Sequence, residues 1–565
     1  MRISLFIFFV FSALIAKSQY FLIGQNSSAI HWKQINTEHF QIIYPQDFEE
    51  KAQYTANLLT LAYEKATITL KTKPKKISVI LQNDNVEANG FVTLAPRRAE
   101  FFTTPPQDDE GLEWLNLLAV HEFRHVVQIS KYNQGMTKVL YFLFGEQGVG
   151  FVIGATTPLW FIEGDAVGFE TFATGYGRGR LPQFNMESRA MLLQLDSFNY
   201  DKASFGSFKT FIPNRYAFGY HMTSYVKEKY GTDTWDSVLN RVAIFPLNPF
   251  PFSSALKKYT GKGTSKMYQE MTLYHYEKWN RSMNINKEYY TSFELLNDTV
   301  HPTFTSYTFP IETANGIVAV KKGMADVDQV VLINAEKEKL LHKMGQFDGA
   351  SFSANANYAV WAEQFPDVRW EYRNFSDIIL YDIANDKRTR FSTQKRLFAP
   401  NISKENKIVA VGVDKGNIPS LQFFNLDDDQ AFLHKNFADM DMIYFPVWGE
   451  GSDIYFVAKK EGYQNIFKWN YTTDVLEPLV VSMPFVMSHL VYNNHKLIFH
   501  STQSGVDNIF ELDLTTNEIH QLTVSKFGAF NPSVSFNGKL LYNEYSAKGM
   551  NIAQAEIKKD TSNAK

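Results

Sequence analysis

Apolar positions in the first half of the chain recur at helical spacing, separated by short alternating runs. Over residues 48–69, Ala52, Ala56, Leu59 and Ala62 fall three or four apart, which predicts one face of an amphipathic helix. Strands are predicted at 76–81 and 90–94. Residues 112–128 form another apolar run of helical length, and Asp108, Asp109 and Glu110 precede it, where the positive end of a helix dipole favours acids. From about residue 288 helical spacing disappears. Short β-branched and aromatic runs then alternate with Asn, Asp and Gly turns, the pattern of an all-β region.

The second half is also repetitive. The segment that begins at Ala350 aligns with segments that begin at Pro400, Pro446 and Pro532, and looser copies start near Phe309 and Ser488. The steps of 41, 50, 46, 42 and 44 residues give a period in the forties with about four strands per unit, the mark of a β-propeller blade. These repeats resemble the six-bladed, TolB-type, WD-like propeller over residues 286–557. The last repeat lacks an outer strand, and residues 294–297 are predicted to supply it and close the ring. A paired β-sandwich is the alternative. The polar tail at 558–565 is expected to be disordered.

Two apolar stretches bear on the compartment. Residues 1–18 carry Arg2, an apolar run from Leu5 to Ile15, and small residues at Ala16 and Ser18, which predicts a secretory leader cut before Gln19. A membrane anchor is the alternative, but the run falls short of the roughly 20 residues that a span needs. Residues 139–160 are apolar but contain Glu146, Gln147, Pro158 and several glycines, so a buried or interfacial insertion is expected, with peripheral membrane contact as a further option.

Composition narrows the chemistry. Among 565 residues, 56 Lys and Arg nearly balance 59 Asp and Glu, for a net charge of −3, which argues against a nucleic-acid partner. Hydrophobic residues at 45% and aromatics at 15% exclude disorder as the main state. With no cysteine, disulfides, iron–sulfur clusters and thiol catalysis are excluded, and any metal must be held by His, Asp or Glu. A cysteine-free exported chain suits a bacterial periplasm, outer membrane or extracellular space.

The run His121-Glu122-Phe123-Arg124-His125 is the candidate centre. On a helix, His121 and His125 project from one face and can share an ion, while Glu122, one position round, can reach a water beside it. Thirty-eight residues after His125, Glu163-Gly164-Asp165-Ala166 lies in a second apolar helical run, with Trp160 ahead of it and Glu170 behind. Together these elements resemble the gluzincin branch of zinc metallopeptidases, the peptidase MA-like class. The fold class implied is an α+β metallopeptidase domain over residues 19–285, followed by the propeller. The resemblance implies one Zn2+ held by His121, His125 and Glu163, with Glu122 as general base.

Further roles follow from the same resemblance. Tyr216, Tyr220 and His221 lie in a segment similar to the class's third helix, where a Tyr or His donates to the oxyanion, and Tyr216 is the favoured candidate. Gly90, Phe91 and Val92 match its edge strand, which pairs with an extended substrate. Glu170, seven residues after Glu163 on the same helical face, can orient a ligand His. Arg178 and Arg180, in a glycine-rich basic loop, can hold a substrate carboxylate, although a solvated loop is the alternative. The amine-anchoring G-x-M-E-N segment of aminopeptidases is replaced by Glu87-Ala88-Asn89-Gly90, which favours endopeptidase action on a peptide or protein substrate. The propeller is expected to bind substrate or a protein partner. The rival readings are a non-catalytic envelope scaffold and a hydrolase of non-peptide amides.

Overall fold

The computed structural model describes residues 24–557, apart from 109–110, 196–197, 286, 335–336, 429 and 481–484. The expected leader at 1–18, its cleavage point before Gln19 and the expected disordered tail at 558–565 lie outside the described residues.

The N-terminal part is an α/β region. Its five-stranded sheet has the order β1 (Trp32–Asn36), β2 (Phe40–Pro45), β3 (Ile77–Gln82), β5 (Arg97–Phe102), β4 (Asn89–Leu94). The 2–3 and 3–5 pairs are parallel, and β4 runs antiparallel at the edge. Helix α1 (Glu49–Thr69) joins β2 to β3 and buries Ala52, Ala56, Leu59 and Ala62. That is the face expected from their spacing.

Nine helices follow among the described residues: α2 (Trp114–Lys131), α3 (Gly135–Thr156), α4 (Leu159–Ala173), α5 (Pro182–Gln194), α6 (Tyr200–Phe205), α7 (Arg215–Tyr230), α8 (Thr234–Ile244), α9 (Pro251–Thr260) and α10 (Thr264–Ile285). The start of α2 differs from expectation. Its cap is Glu113, whose carboxylate accepts the amides of Leu115 and Asn116 at 3.0 and 2.8 Å. A carboxylate there satisfies donors that the helix itself leaves unpaired.

Beyond α10 the chain forms six four-stranded antiparallel sheets, the blades of a propeller. The two-residue strand β6 (Glu294–Leu295) joins the last blade as its outer strand, pairing with Ala553 and Gln554. The ring is thereby closed by chain from before the first blade. The register of each innermost strand breaks at one point, and there a residue takes positive φ: Phe309, Gly349, Ala399, Phe445, His489 and Asn531. Pro310, Pro400, Pro446 and Pro532 come next in sequence. The bulge therefore explains the repeat and shifts its two looser copies, whose equivalent positions are Pro310 and Leu490 rather than 309 and 488.

The propeller holds the segment between β3 and β4. Arg396 donates to the carbonyls of Asn83 and Asn85 at 3.3 and 3.2 Å and to Thr104 Oγ1 at 2.7 Å. Val86 donates its amide to Asn374 at 2.6 Å and packs into the propeller core. Lys459 donates to the Gly111 carbonyl at 2.8 Å. Edge strand β4 and the entry to α2 are thus both tied to blades.

Several carboxyls are buried where the propeller meets α5. Burial raises Glu544 to about 8 despite a 2.6 Å hydrogen bond from Ser525, and raises Asp507 to about 7. Each holds a proton in the folded state that the unfolded chain releases nearer pH 4.5 and 3.8. Because the native state binds more protons across that window, stability falls as pH rises through it. The variant Glu544→Gln should match the wild type near about pH 5 and melt at higher temperature than it by about pH 9. Thermal melts across this range check the point, and parallel curves for the two proteins would refute it.

Candidate metal centre

Two helices supply the three groups of the cluster. His121 and His125 lie one turn apart on α2, and Glu163 comes from α4. A nitrogen from each imidazole and a Glu163 carboxylate oxygen all lie within 4.8 Å of one another. Glu163 Oε2 is 3.6 Å from His121 Nε2 and 3.5 Å from His125 Nε2. Donors bound at roughly 2.0–2.2 Å around a tetrahedral ion would stand about 3.3–3.6 Å apart. The residues therefore fit a divalent ion such as zinc, through two imidazoles and one carboxylate.

The far nitrogens of both rings are held. His121 Nδ1 lies 2.8 Å from Glu170 Oε2, and His125 Nδ1 lies 2.9 Å from Gln128 Oε1. A proton on each Nδ1 satisfies these acceptors and turns Nε2 toward Glu163, where a bound ion would displace any proton that Nε2 carries. Burial pushes the His121 imidazole down, but Glu163 and Glu170 outweigh it and raise it to about 9. Burial opposes ionisation of Glu163, yet His121 and His125 hold it far below the carboxylate range. Glu170 is fully buried, and Arg178 and His121 overcome that burial to hold it at about 2.

Arg178 corrects an expectation. It donates through Nε and Nη2 to the two Glu170 oxygens at 2.8 and 2.9 Å, and its own amide reaches Glu170 Oε1 at 3.1 Å. The residue is a clamp behind His121 rather than a solvated side chain, its guanidinium held on Glu170. The reason is the buried charge on Glu170, which needs a cation. Arg180, two residues on, is exposed and lines a cleft of about 610 Å³ with Tyr176, Arg189, Gln464 and Gln503, between α5 and the propeller.

The remaining candidates separate. Glu122 is buried against the edge strand: a Cβ on Gly90 would lie 3.0 Å from Glu122 Oε1 and 2.6 Å from Leu118 Cδ2. Glycine there lets β4 approach α2. Phe91 packs on Phe102 at 6.1 Å and Val92 packs on the core, so β4 offers its backbone rather than these side chains. The Tyr216 ring lies 6.3 Å from the His121 ring, with the Arg178 guanidinium over it. Burial and the nearby Glu163 raise its pKa, so it remains a proton donor at neutral pH. Tyr220 packs against Phe184 and the backbone of Gly179. His221 is turned elsewhere, with its ring against His275 and Trp279, and burial drives its pKa well down. It lies one helical step past Tyr220, which shares the Tyr216 face four residues on, and is thereby rotated off that face.

Sequence reasoning passed over a second buried network. Asp165 accepts from Arg124 at 2.7 Å, Lys227 at 2.9 Å and Gln128 at 3.0 Å, which joins α4 to α2 and α7. The signal was Arg124, a charged residue inside an apolar helix, where a partner is required. Gly164 and Gly219 also meet face to face where α4 crosses α7, at an approach that leaves no room for a Cβ on either.

No family model matches the chain, and no curated protein does. Solved structures with partial likeness include a prolyl endopeptidase at 9% identity and TM-score 0.31, covering 45% of this chain and 42% of that one. TolB from Acinetobacter baumannii shows 14% identity and TM-score 0.32, over 53% of this chain and 75% of that one. An acylaminoacyl peptidase from Pyrococcus horikoshii shows 11% identity and TM-score 0.33, over 46% and 52%. The chain thus spans less than half of the prolyl endopeptidase. At these scores the likenesses carry no argument about the site.

Replacing Arg178 by Met leaves the buried Glu170 carboxylate without its cation and should lower the melting temperature. In the folded protein it should weaken zinc affinity about 10–100-fold, the usual effect of losing an outer partner of a metal-binding His. A competition titration against a chelator reads this directly. Unchanged affinity would show that the clamp does not serve the centre.

Proposed function

We propose that the protein is an exported zinc-dependent peptidase, acting within peptide chains. The observation that carries this reading is the convergence of His121, His125 and Glu163 with Glu122 alongside, next to an edge strand. A zinc ion held by those three residues would supply positive charge to an attacking water and to the scissile carbonyl.

The chain's own groups account for the rest of the chemistry. Glu122 accepts the proton of the attacking water and delivers it to the leaving amine. Tyr216, protonated at neutral pH, donates to the oxygen that becomes negative at the carbonyl. Among the described residues β4 pairs with β5 alone, so its outer backbone groups are available to an extended peptide. Glu170, through His121 Nδ1, keeps that ring in the tautomer that presents Nε2. The segment Glu87–Gly90 lacks the amine anchor of aminopeptidases, which favours cleavage within a chain. The propeller steadies β4 through the Asn83–Val86 contacts and offers a further protein-binding surface.

The test compares wild type with Glu122→Gln for zinc content and for cleavage of casein or a peptide library. Both should hold one zinc, and the variant should cleave about 10²–10⁴-fold more slowly. Wild type without zinc would end the metallopeptidase reading. Bound zinc with no cleavage by either protein would leave a scaffold built on a retained metal site.

A further inference from the structure

Helix α3 is long and apolar enough to cross a membrane, yet most of it is exposed rather than buried in the protein. It is not one straight rod. Gly145 has φ 62° and ψ −149°, outside the helical range, and breaks it into two halves. The halves fold back on each other, since a Cβ on Gly148 would lie 2.6 Å from the Leu140 carbonyl oxygen, eight residues earlier. Each half, of about ten residues, is roughly 15 Å long, half the thickness of a bilayer's hydrocarbon core.

The outer surface of this hairpin is largely carbon, with Gln147 an exposed polar side chain just past the turn. Phe142 is 87% exposed, Leu143 62%, Phe144 63% and Phe151 73%. From Val139 to Pro158 the one charged side chain is Glu146, and it lies 3.7 Å from Arg97 of β5. The threonine hydroxyls at its end are engaged locally: Thr156 donates to the Val152 carbonyl, and Thr157 meets Tyr132. A second apolar segment adjoins the base of the hairpin. Thr137 donates to the Ala243 carbonyl and Gly135 packs on Ile244, after which Phe245, Leu247 and Phe250 are exposed.

We infer that the α3 hairpin inserts its tip into one leaflet of a lipid bilayer, holding the protein on a membrane surface without spanning it. A protein partner would be expected to find hydrogen-bonding groups around an apolar centre. Here the exposed tip, from Phe142 to Phe144, is apolar side chain throughout and closes on a glycine turn. A lipid interface requires just such a surface, with the depth of half a bilayer. Lys138, exposed near the start of the hairpin, can extend its ammonium to the headgroups. The hairpin also touches the edge strand, with Gly150 against Leu94. Membrane contact and the strand beside Glu122 are therefore mechanically joined. The inference does not depend on hydrolysis and is tested without it.

The measurement is flotation with vesicles of phosphatidylcholine, and of an equal mixture of phosphatidylcholine and phosphatidylglycerol, using the chain from Gln19 onward so that the apolar leader does not contribute. Wild type should float with both, and should still do so at high salt, where charge contacts are screened. The double variant Phe142→Ser with Phe144→Ser should partition at least about tenfold less, because its apolar tip is lost. Both positions are exposed, so circular dichroism should be unchanged. Phe536→Ser, at a 76% exposed phenylalanine in the propeller, should float like wild type. Equal flotation by wild type and the double variant, or none by wild type, overturns the inference. So does a wild-type dimer, seen by light scattering, that the double variant dissociates, since the face would then belong to a second copy.

Discussion

One buried carboxylate sets the relation among the three helices of the centre. Asp165 is fully buried, and burial works against its charge, but Arg124 and Lys227 keep it ionised far below the carboxylate range. The charge cannot stay in an apolar interior unless both cations and the Gln128 amide remain in place. Removing one partner from such a network costs about 3–5 kcal/mol, because an unpaired buried charge is left behind. Arg124 lies between His121 and His125 in sequence, and Asp165 is two residues after Glu163. The pairs that tie the helices thus sit one or two positions from His125 and Glu163. The spacing of the His121, His125 and Glu163 cluster follows from where that network closes.

A second arrangement of charge lies behind His121. Arg178, Glu170, His121 and Glu163 form a line of alternating sign, from the loop after α4 through to the centre. Each group is stabilised in its charged or donating form by the next. The glycine-rich run 175–179 serves this line. Gly177 and Gly179 lie against Thr171 and Tyr220 so closely that side chains there would force the loop away and carry Arg178 off Glu170. The propeller contributes by a different means. It grips the β3–β4 connection by hydrogen bonds to backbone groups, which fixes the path of the chain into β4 with little dependence on side-chain identity.

Much of the blade architecture was legible because it repeats. A period in the forties, a proline after four of the six bulges and polar turns are local signals, and closure of the ring by a strand within residues 294–297 followed from counting strands. The two looser repeats were misplaced by one and two residues, the second where Leu490 stands in place of the proline that four blades carry. Helix α1 and strands β3 and β4 were legible from apolar spacing, while β1, β2 and β5 passed unnoticed. β1 is largely exposed and so shows little alternation of apolar and polar positions. In the centre, the pairing of His121 with His125 follows from helical geometry alone. The fate of Arg178 did not, because a basic residue among glycines looks the same in solvent as it does against a buried acid eight residues earlier.

The sequence by itself determined which groups could hold an ion, since a chain without cysteine leaves imidazole and carboxylate, and one helical turn places His121 beside His125. It also determined the blade count, through short-range repetition. Tertiary structure alone decided that Glu163 joins those two rings across 38 residues of chain, that Tyr216 rather than His221 faces them, and that the apolar run at 139–160 becomes a folded hairpin with its phenylalanines outward. Such outcomes depend on which buried charges find partners and which helices can touch at a glycine. Those are contacts between distant segments, and no local pattern of residues records them.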